Sequence, residues 1–519
     1  MPLNPKLPTV FPTAVHMLAA AASASPRREA LVCGAERLSY EEYARCVAGF
    51  AAELRAVGVQ GGRVVVVLGN SVDFCIALLA VQAAGAQVAP INPLFTEGEI
   101  APLLEDIDPV AIVHDANFTA MIELTSKRAG VRSRVGVGSG DRSLTRWRAK
   151  PSSIESDMLP RPESLALLLY TGGTTGTPKG VNLTHSACAH GVAQMNSLVP
   201  TRVEAERLLC ATPLCHIYAI AVGMNNMLYC RGTLVILPRY AADAVLDTLE
   251  AESITMLAGG PTMFVGLLSH ERLAQRRFPH LRCSYSGASA LPEETLRRWE
   301  SATGAPVLEG YGQTETGGGV IFNPLEGVRK PGSVGIPMAG VEVEIVDLKA
   351  GNTVLPAGEI GEIRIRGPQL MAGYRGRPEE TAAVWRGGWL YTTDIGHLDA
   401  DGYLYISDRK KDMVIVSGFN VYPRAIEEVL YRHPGVLEAA VVGEPDEYQG
   451  EALKAFVVPR PGGKIDAAAV VLHCRSQLAP YKVPRRIVFV DALPKTAVGK
   501  VDKRLLRERS GSEQTSVKS

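Results

Sequence analysis

Apolar residues recur at helical spacing over residues 40–57, and the run that follows, 63–69 (RVVVVLG), is β-branched and closed by glycine and Asn70. Residues 73–84 return to the helical period, and 87–91 form a second short apolar run. Buried apolar strands separated by helices predict an α/β fold, a parallel sheet with helices packed on it. The pattern resumes after Tyr170. It predicts strands over 165–169, 233–237 and 254–258, a helix over 241–251, and a helix over 292–303 with proline in its first turn.

Near Pro331 the pattern changes. Residues 332–402 are rich in glycine and carry short alternating strands at 341–346 (VEVEIV) and 362–366 (EIRIR), which predicts a small antiparallel β-rich unit. From Arg409 helix and strand alternate for about 100 residues, enough for a small α+β domain. The division expected is a large N-terminal domain over 1–408, holding two sheet-helix subdomains and the β-rich unit, and a C-terminal domain over 409–509. The polar segment 510–519 reads as a disordered tail.

Composition removes several classes. Hydrophobic residues are 46% and charged residues 21%, which suits a folded chain rather than a disordered one. Lys+Arg and Asp+Glu are both 54, so no basic excess calls for nucleic acid. Residues 17–24 (MLAAAASA) lack a preceding basic cluster and follow Pro8 and Pro12, so an Ala-rich helix is expected rather than a signal peptide. The apolar stretch 75–90 contains Gln82, Gly85 and Gln87 and is too short and polar to span a bilayer. The nine cysteines are scattered without a CxxC pair, as reduced thiols in a cytoplasmic protein would be.

The strongest chemical signal is residues 170–180, YTGGTTGTPKG. Gly172, Gly173 and Gly176 let the backbone turn its N–H groups toward an anion. Thr171, Thr174 and Thr175 add hydroxyls and Lys179 adds charge. The string sits between the strand at 165–169 and a helix expected from about Thr184 or His185. Pro178 before the lysine and the missing Gly-Lys-Ser/Thr exclude a Walker loop.

This string resembles the signature of the adenylate-forming superfamily of acyl-CoA synthetases, peptide-synthetase adenylation domains and luciferases, with glycine at Gly172 where serine is usual. The resemblance continues in order: PLCHIYAI at 213–220, YSGASAL at 285–291, EGYGQTETG at 309–317, GWLYTTDIG at 388–396, DRKKDMVIVSGFNVYP at 408–423 and PKTAVGK at 494–500. It implies ATP and Mg2+ as cofactors and coenzyme A as co-substrate. ATP or AMP would be bound by Thr171, Gly172, Gly173, Thr174, Thr175, Gly176 and Lys179, by Gly287, Ala288 and Ser289 beside the adenine, and by Glu309, Gly310, Tyr311, Gly312 and Gln313, Tyr311 stacking on the purine. Thr314 would meet the α-phosphate and Glu315 the magnesium, although a Thr-Glu pair alone is ordinarily a solvated turn. Asp394 would accept the ribose hydroxyls with Arg409 assisting, where a lone Asp before Gly396 would merely cap a turn.

The same resemblance places His216 where the acyl tunnel meets the reacting carboxylate, with Tyr218, Gly223, Gly287 and Gly310 lining the pocket. Lys500 would be the catalytic cation between carboxylate and α-phosphate. Asp408 would be the hinge of the C-terminal domain, and Ser417, Gly418 and Phe419 would border the channel for pantetheine. The implied reaction forms acyl-AMP with release of pyrophosphate, then acyl-CoA with release of AMP.

Residues 213–227 and 285–291 hold no Lys, Arg, Asp or Glu, which argues against an amino acid or diacid and for a medium- or long-chain fatty acid. An aryl acid, coumarate- or benzoate-like, is the alternative, although Ile415 stands where such ligases usually carry lysine. Transfer to a carrier protein is the other alternative, and the insertion expected of it is missing between Gly402 and Pro423. Chain length, pathway, peripheral membrane association and oligomeric state, a homodimer included, stay open.

Overall fold

The computed structural model describes residues 5–126, 131–171, 178–410, 412–446, 449–462, 465–496 and 499–508. Among them the strands form four sheets. In the first, Gln87–Pro90, Arg63–Val67, Ala111–Asp115 and Ser133–Val137 run parallel in that order. Leu165–Thr171 joins parallel to Gln87–Pro90.

The helix expected from about Thr184 or His185 is present, and a strand that the pattern did not announce precedes it. Lys179–Thr184 first folds back antiparallel on Leu165–Thr171, placing Lys179 opposite Thr171. The helix His185–Asn196 starts only then, where the Thr184 hydroxyl accepts the Ala187 N–H at 3.1 Å. Residues 179–184 (KGVNLT) are too short and mixed to have announced a strand.

The second sheet is the largest. Its parallel centre is ordered Val307–Gln313, Cys283–Ser286, Met256–Gly259, Arg207–Cys210, Thr233–Ile236 and Glu29–Cys33. Gly318–Phe322 extends it antiparallel beside Val307–Gln313. One apolar core runs through both sheets, holding Val64, Val88 and Leu167 from the first and Leu208, Ala258 and Tyr285 from the second. The helix Val72–Ala83 is buried along its length apart from Asp73, as a helix apolar at every position but Asp73 and Gln82 must be. Tyr40–Ala56 begins in a capping box, with Ser39 and Glu42 each bonding the other's N–H. The helix expected over 292–303 spans Glu293–Thr303, so Pro292 is its cap and not part of its first turn.

The third sheet is antiparallel, in the order Glu342–Val346, Gly361–Arg366, Trp389–Leu398 and Trp385–Arg386, with Leu404–Arg409 on Trp389–Leu398. The fourth is built from Phe419–Val421, Val414–Val416, Gly450–Pro459, Val436–Asp446 and Arg486–Phe489, with Pro423–Tyr431 and Ala467–Gln477 against it. Among the described residues no helix is long and apolar enough to cross a membrane. The expected tail, 510–519, lies outside the described residues.

Candidate active site

The parallel strands of the second sheet end along one edge, where α/β folds bind ligands. Residues Ala219–Asn225, just beyond one of these strands, form a π-helical turn, a wide helix common at functional sites. Tyr218, which precedes it, donates its hydroxyl to the carbonyls of Gly259 and Tyr285 at 3.3 and 3.2 Å. Its ring lies over Gly287, where an added Cβ would come within 2.9 Å of Tyr218 Cε2. Ala288 follows at φ +71°, and Ser289 is exposed. Gly310 and Gly312 have a structural reason: Cβ atoms there would meet the Phe322 ring at 2.4 Å and the Gly318 carbonyl at 1.9 Å. Gly223 lies inside the π-helical turn, facing Leu234, Cys210 and Leu208 at ordinary contact distances.

Asp394 is buried in the strand Trp389–Leu398 and caps no turn. Its Oδ2 accepts the Tyr311 hydroxyl at 2.7 Å and the Gln313 amide at 2.7 Å, and Arg409 Nε lies 3.6 Å from Oδ1. Burial raises the Asp394 carboxyl above its ordinary range, while Arg409 and the two donors oppose the rise. Thr393 beside it sits at φ +61°, a strained turn of backbone at the edge of the site.

Lys500 comes from the other end of the chain. Lys495 and Val501 pair antiparallel, Thr496 N–H donates to the Lys500 carbonyl at 2.7 Å, and Gly499 takes φ +80°. A Cβ on Gly499 would stand 3.0 Å from Thr262 Oγ1, so this C-terminal turn rests on the large domain. The half-buried ammonium is pulled down to about 8 by burial and then by Arg409, against the pull of Asp394 and Glu315. His216 is pushed down to about 4 by burial and by the Lys500 charge. The structure thus brings Lys500, His216, Asp394, Arg409 and Glu315 to one place.

Thr316, absent from the sequence reading, fixes the loop that presents Thr314 and Glu315. Its hydroxyl accepts the Gln313 N–H at 2.7 Å and donates to the Gly318 carbonyl at 2.7 Å. Glu315 Oε1 accepts the Tyr374 hydroxyl at 3.0 Å. Lys179 Nζ pairs with Glu380 Oε2 at 2.5 Å and lies 5.2 Å from the centre of the Tyr374 ring. Tyr374 and Glu380 sit in YRGRPEET, a string whose polar pattern gives no sign of a site. Gly172, Gly173, Thr174, Thr175 and Gly176 lie outside the described residues.

Glu309 is buried, accepts the Leu291 N–H at 3.2 Å, and is pushed up to about 7 by burial. Asp408 links strand and helix: it accepts the N–H groups of Arg409 at 2.8 Å and Arg424 at 3.1 Å. Ser417 and Gly418, both at positive φ, make the two-residue turn between Val414–Val416 and Phe419–Val421. With Phe419 they are exposed, and the Phe419 ring stacks on Tyr481 at 4.6 Å.

Cation, paired carboxylate and aromatic shelf at the end of a parallel sheet describe a nucleotide-handling enzyme. The chain belongs to the AMP-binding enzyme family, whose model matches residues 18–375, with the AMP-binding enzyme C-terminal domain matching 425–500. A long-chain-fatty-acid–CoA ligase of Bacillus subtilis (strain 168) is 34% identical over 537 residues, covering 97% of this chain and 95% of that protein. A feruloyl-CoA synthase of Amycolatopsis sp is 36% identical over 490 residues, covering 94% and 97%. Among solved structures, ATP-bound MatB from Rhodopseudomonas palustris superposes with a TM-score of 0.89 at 35% identity, covering 96% of this chain and 99% of that one. The anthranilate CoA ligase AuaEII with anthranoyl-AMP gives 0.89 at 28% identity, covering 97% and 98%.

Proposed function

We propose that the protein is an ATP-dependent carboxylic acid–CoA ligase acting on medium- or long-chain fatty acids. The observation that carries the reading is the convergence of Lys500 with Asp394, Glu315 and His216. Asp394, held by Tyr311 and Gln313, offers acceptor oxygens to the ribose hydroxyls, and Tyr311 gives the purine a flat face. A carboxylate attacking an α-phosphate brings two anions together. Lys500 would lower the energy of that transition state, with Thr314 and residues 172–176 receiving the phosphates. His216, uncharged at neutral pH, adds no cation that would hold the acid away from phosphorus.

Mg2+ fits the residues present. Among the described residues no cluster of three or more His, Cys, Asp or Glu side chains could hold a metal alone. Mg2+ bound to ATP asks for less, one or two carboxylates besides the phosphates and water. Glu315 would supply that ligand, and the ion would neutralise charge on the leaving pyrophosphate.

For the second step the units 1–408 and 409–509 would turn about Asp408, withdrawing Lys500 and bringing the Ser417–Gly418 turn to the site as a passage for the CoA thiol. Support comes from the exposure of that turn while Lys500 is engaged. The free cysteines support a cytoplasmic setting.

The acyl preference rests on the uncharged wall at 213–227, which can bury methylenes at roughly 0.8 kcal/mol each. An aryl acid is the second reading, favoured by the similarity to feruloyl-CoA synthase. The test is a kcat/KM series with CoA over C4 to C16 acids beside ferulic, benzoic and malonic acids. A rise along the aliphatic series supports the fatty-acid reading, and a maximum at ferulic or malonic acid with no such rise overturns it.

A further inference from the structure

The ion pair between Lys179 and Glu380 has no part in the chemistry above, and it sits at the phosphate end of the site. Lys179 is the second-to-last residue of the YTGGTTGTPKG string and opens the strand Lys179–Thr184. Its ammonium is directed to Glu380 in the short helix Pro378–Val384. Glu380 has a second cation on its other oxygen: Arg377 Nη1 stands 3.5 Å from Oε1. Arg377 is in turn 3.9 Å from Asp106. Tyr374 lies between the two ends of the phosphate site, its ring beneath Lys179 and its hydroxyl on Glu315.

From this arrangement we infer that Glu380 is a positioning residue that competes with the phosphates for Lys179: the lysine rests on Glu380 before ATP binds, moves to the triphosphate when ATP arrives, and is taken back as pyrophosphate leaves. The inference rests on the ATP-dependent reading above. Three features make the exchange feasible. The pair is partly open to solvent, so separating it costs little. Arg377 stays with Glu380, so the carboxylate keeps a counter-charge after Lys179 departs. The Tyr374 face keeps the ammonium near the Glu315 end of the site throughout. The effect on turnover is specific. A lysine with no alternative partner would hold pyrophosphate longer, and Glu380 shortens that stay.

The test compares the full-length wild type with Glu380→Gln, Glu380→Asp, Lys179→Ala and the Lys179→Ala/Glu380→Gln double variant. The readouts are the inhibition constant of pyrophosphate against ATP, the KM for ATP, kcat, and calorimetric binding of pyrophosphate with Mg2+. Glu380→Gln is expected to lower both the inhibition constant and the KM for ATP about two- to five-fold, the range of a partly exposed ion pair. Glu380→Asp should return both toward wild type, and Glu380→Gln should change nothing once Lys179 is replaced by alanine. Loss of a merely structural contact would lower thermal stability and raise both constants. Unchanged or raised constants in Glu380→Gln, or the same shift in the Lys179→Ala background, would overturn the inference. Should the wild type release no AMP with any acid, the ligase reading fails, while calorimetry still reports whether Glu380→Gln tightens pyrophosphate binding.

Discussion

Arg424 reaches from the first helix of the C-terminal unit to within 4.0 Å of the buried Glu309 carboxylate, while its other guanidinium nitrogen donates to the Ile406 carbonyl at 3.0 Å. One side chain therefore touches an outermost parallel strand of the large sheet, Val307–Gln313, and the strand Leu404–Arg409.

The pH dependence of that contact is the first prediction. Burial holds the Glu309 proton on up to about pH 7, against 4.5 for an ordinary glutamate. The folded protein binds this proton more tightly than the unfolded chain does. The contribution to stability is complete below pH 4.5 and is lost as pH rises through 7. Glu309→Gln, which keeps the acceptor for Leu291, is expected to match wild type near pH 4 and to exceed it at pH 8, by up to about 3 kcal/mol. Thermal melts across that range measure it. A variant less stable than wild type at pH 8 would mean that the Arg424 pair outweighs desolvation.

Lys500→Ala is expected to abolish most acyl-AMP formation, a loss of about a hundredfold or more. With preformed acyl-AMP and CoA, thioester should still form at near the wild-type rate. Equal losses in both half-reactions would remove the assignment.

The same lysine should write itself into the pH profile. In the proposed role it acts as a cation, and burial pulls its ammonium down to about 8. The kcat/KM for ATP, which reports free-enzyme ionisations, should therefore decline as pH rises through about 8. Lys500→Arg should move that limb out of range. An alkaline limb that stays put in the arginine variant would belong to another group.

Asp394→Ala is expected to raise the KM for ATP more than that for the acid, because ribose is held equally in ground and transition states. Tyr311→Phe, which deletes one donor to Asp394 and keeps the aromatic face, should show a smaller rise. Unaltered ATP affinity on direct titration of Asp394→Ala would end the ribose role.

Gly287→Ala tests the pocket wall. The new methyl would press on a Tyr218 ring whose hydroxyl is fixed on two carbonyls, so the ring cannot simply swing away. Overpacking of this kind costs about 1–3 kcal/mol. The expected signature is a kcat/KM loss that grows with acyl chain length. A uniform loss over all acids would place Gly287 outside the acyl path.

Much of this was readable in the residues. The β-branched run at 63–69 and the helical period at 73–84 announced a buried strand and helix because both elements are almost wholly apolar, and Arg63–Val67 and Val72–Ala83 lie within two residues of those limits. The string containing Asp394 and the one ending at Lys500 stood out as motifs. Their meeting did not, since it depends on where the turn around Gly499 rests. The resemblance marks Lys500 as the catalytic cation, whereas Gly-Lys-Val alone carries no such signal. Glu380, Tyr374, Thr316 and Arg424 were missed for a common reason: each acts through a partner distant in the chain or through a loop bond, and neither leaves a local pattern. The π-helical turn at Ala219–Asn225 was invisible too, because its widening answers to packing against the sheet and not to periodicity.

That widened turn carries a consequence for how this wall could change over evolutionary time. A π-helical turn fits one more residue into the span of an α-helical one. Deleting a single residue between Ala219 and Asn225 could be absorbed by tightening the coil, leaving the flanking segments where they are and presenting a different set of side chains to the interior. Length variation here would then act as a dial on the proposed acyl path, one that substitutions alone could not turn.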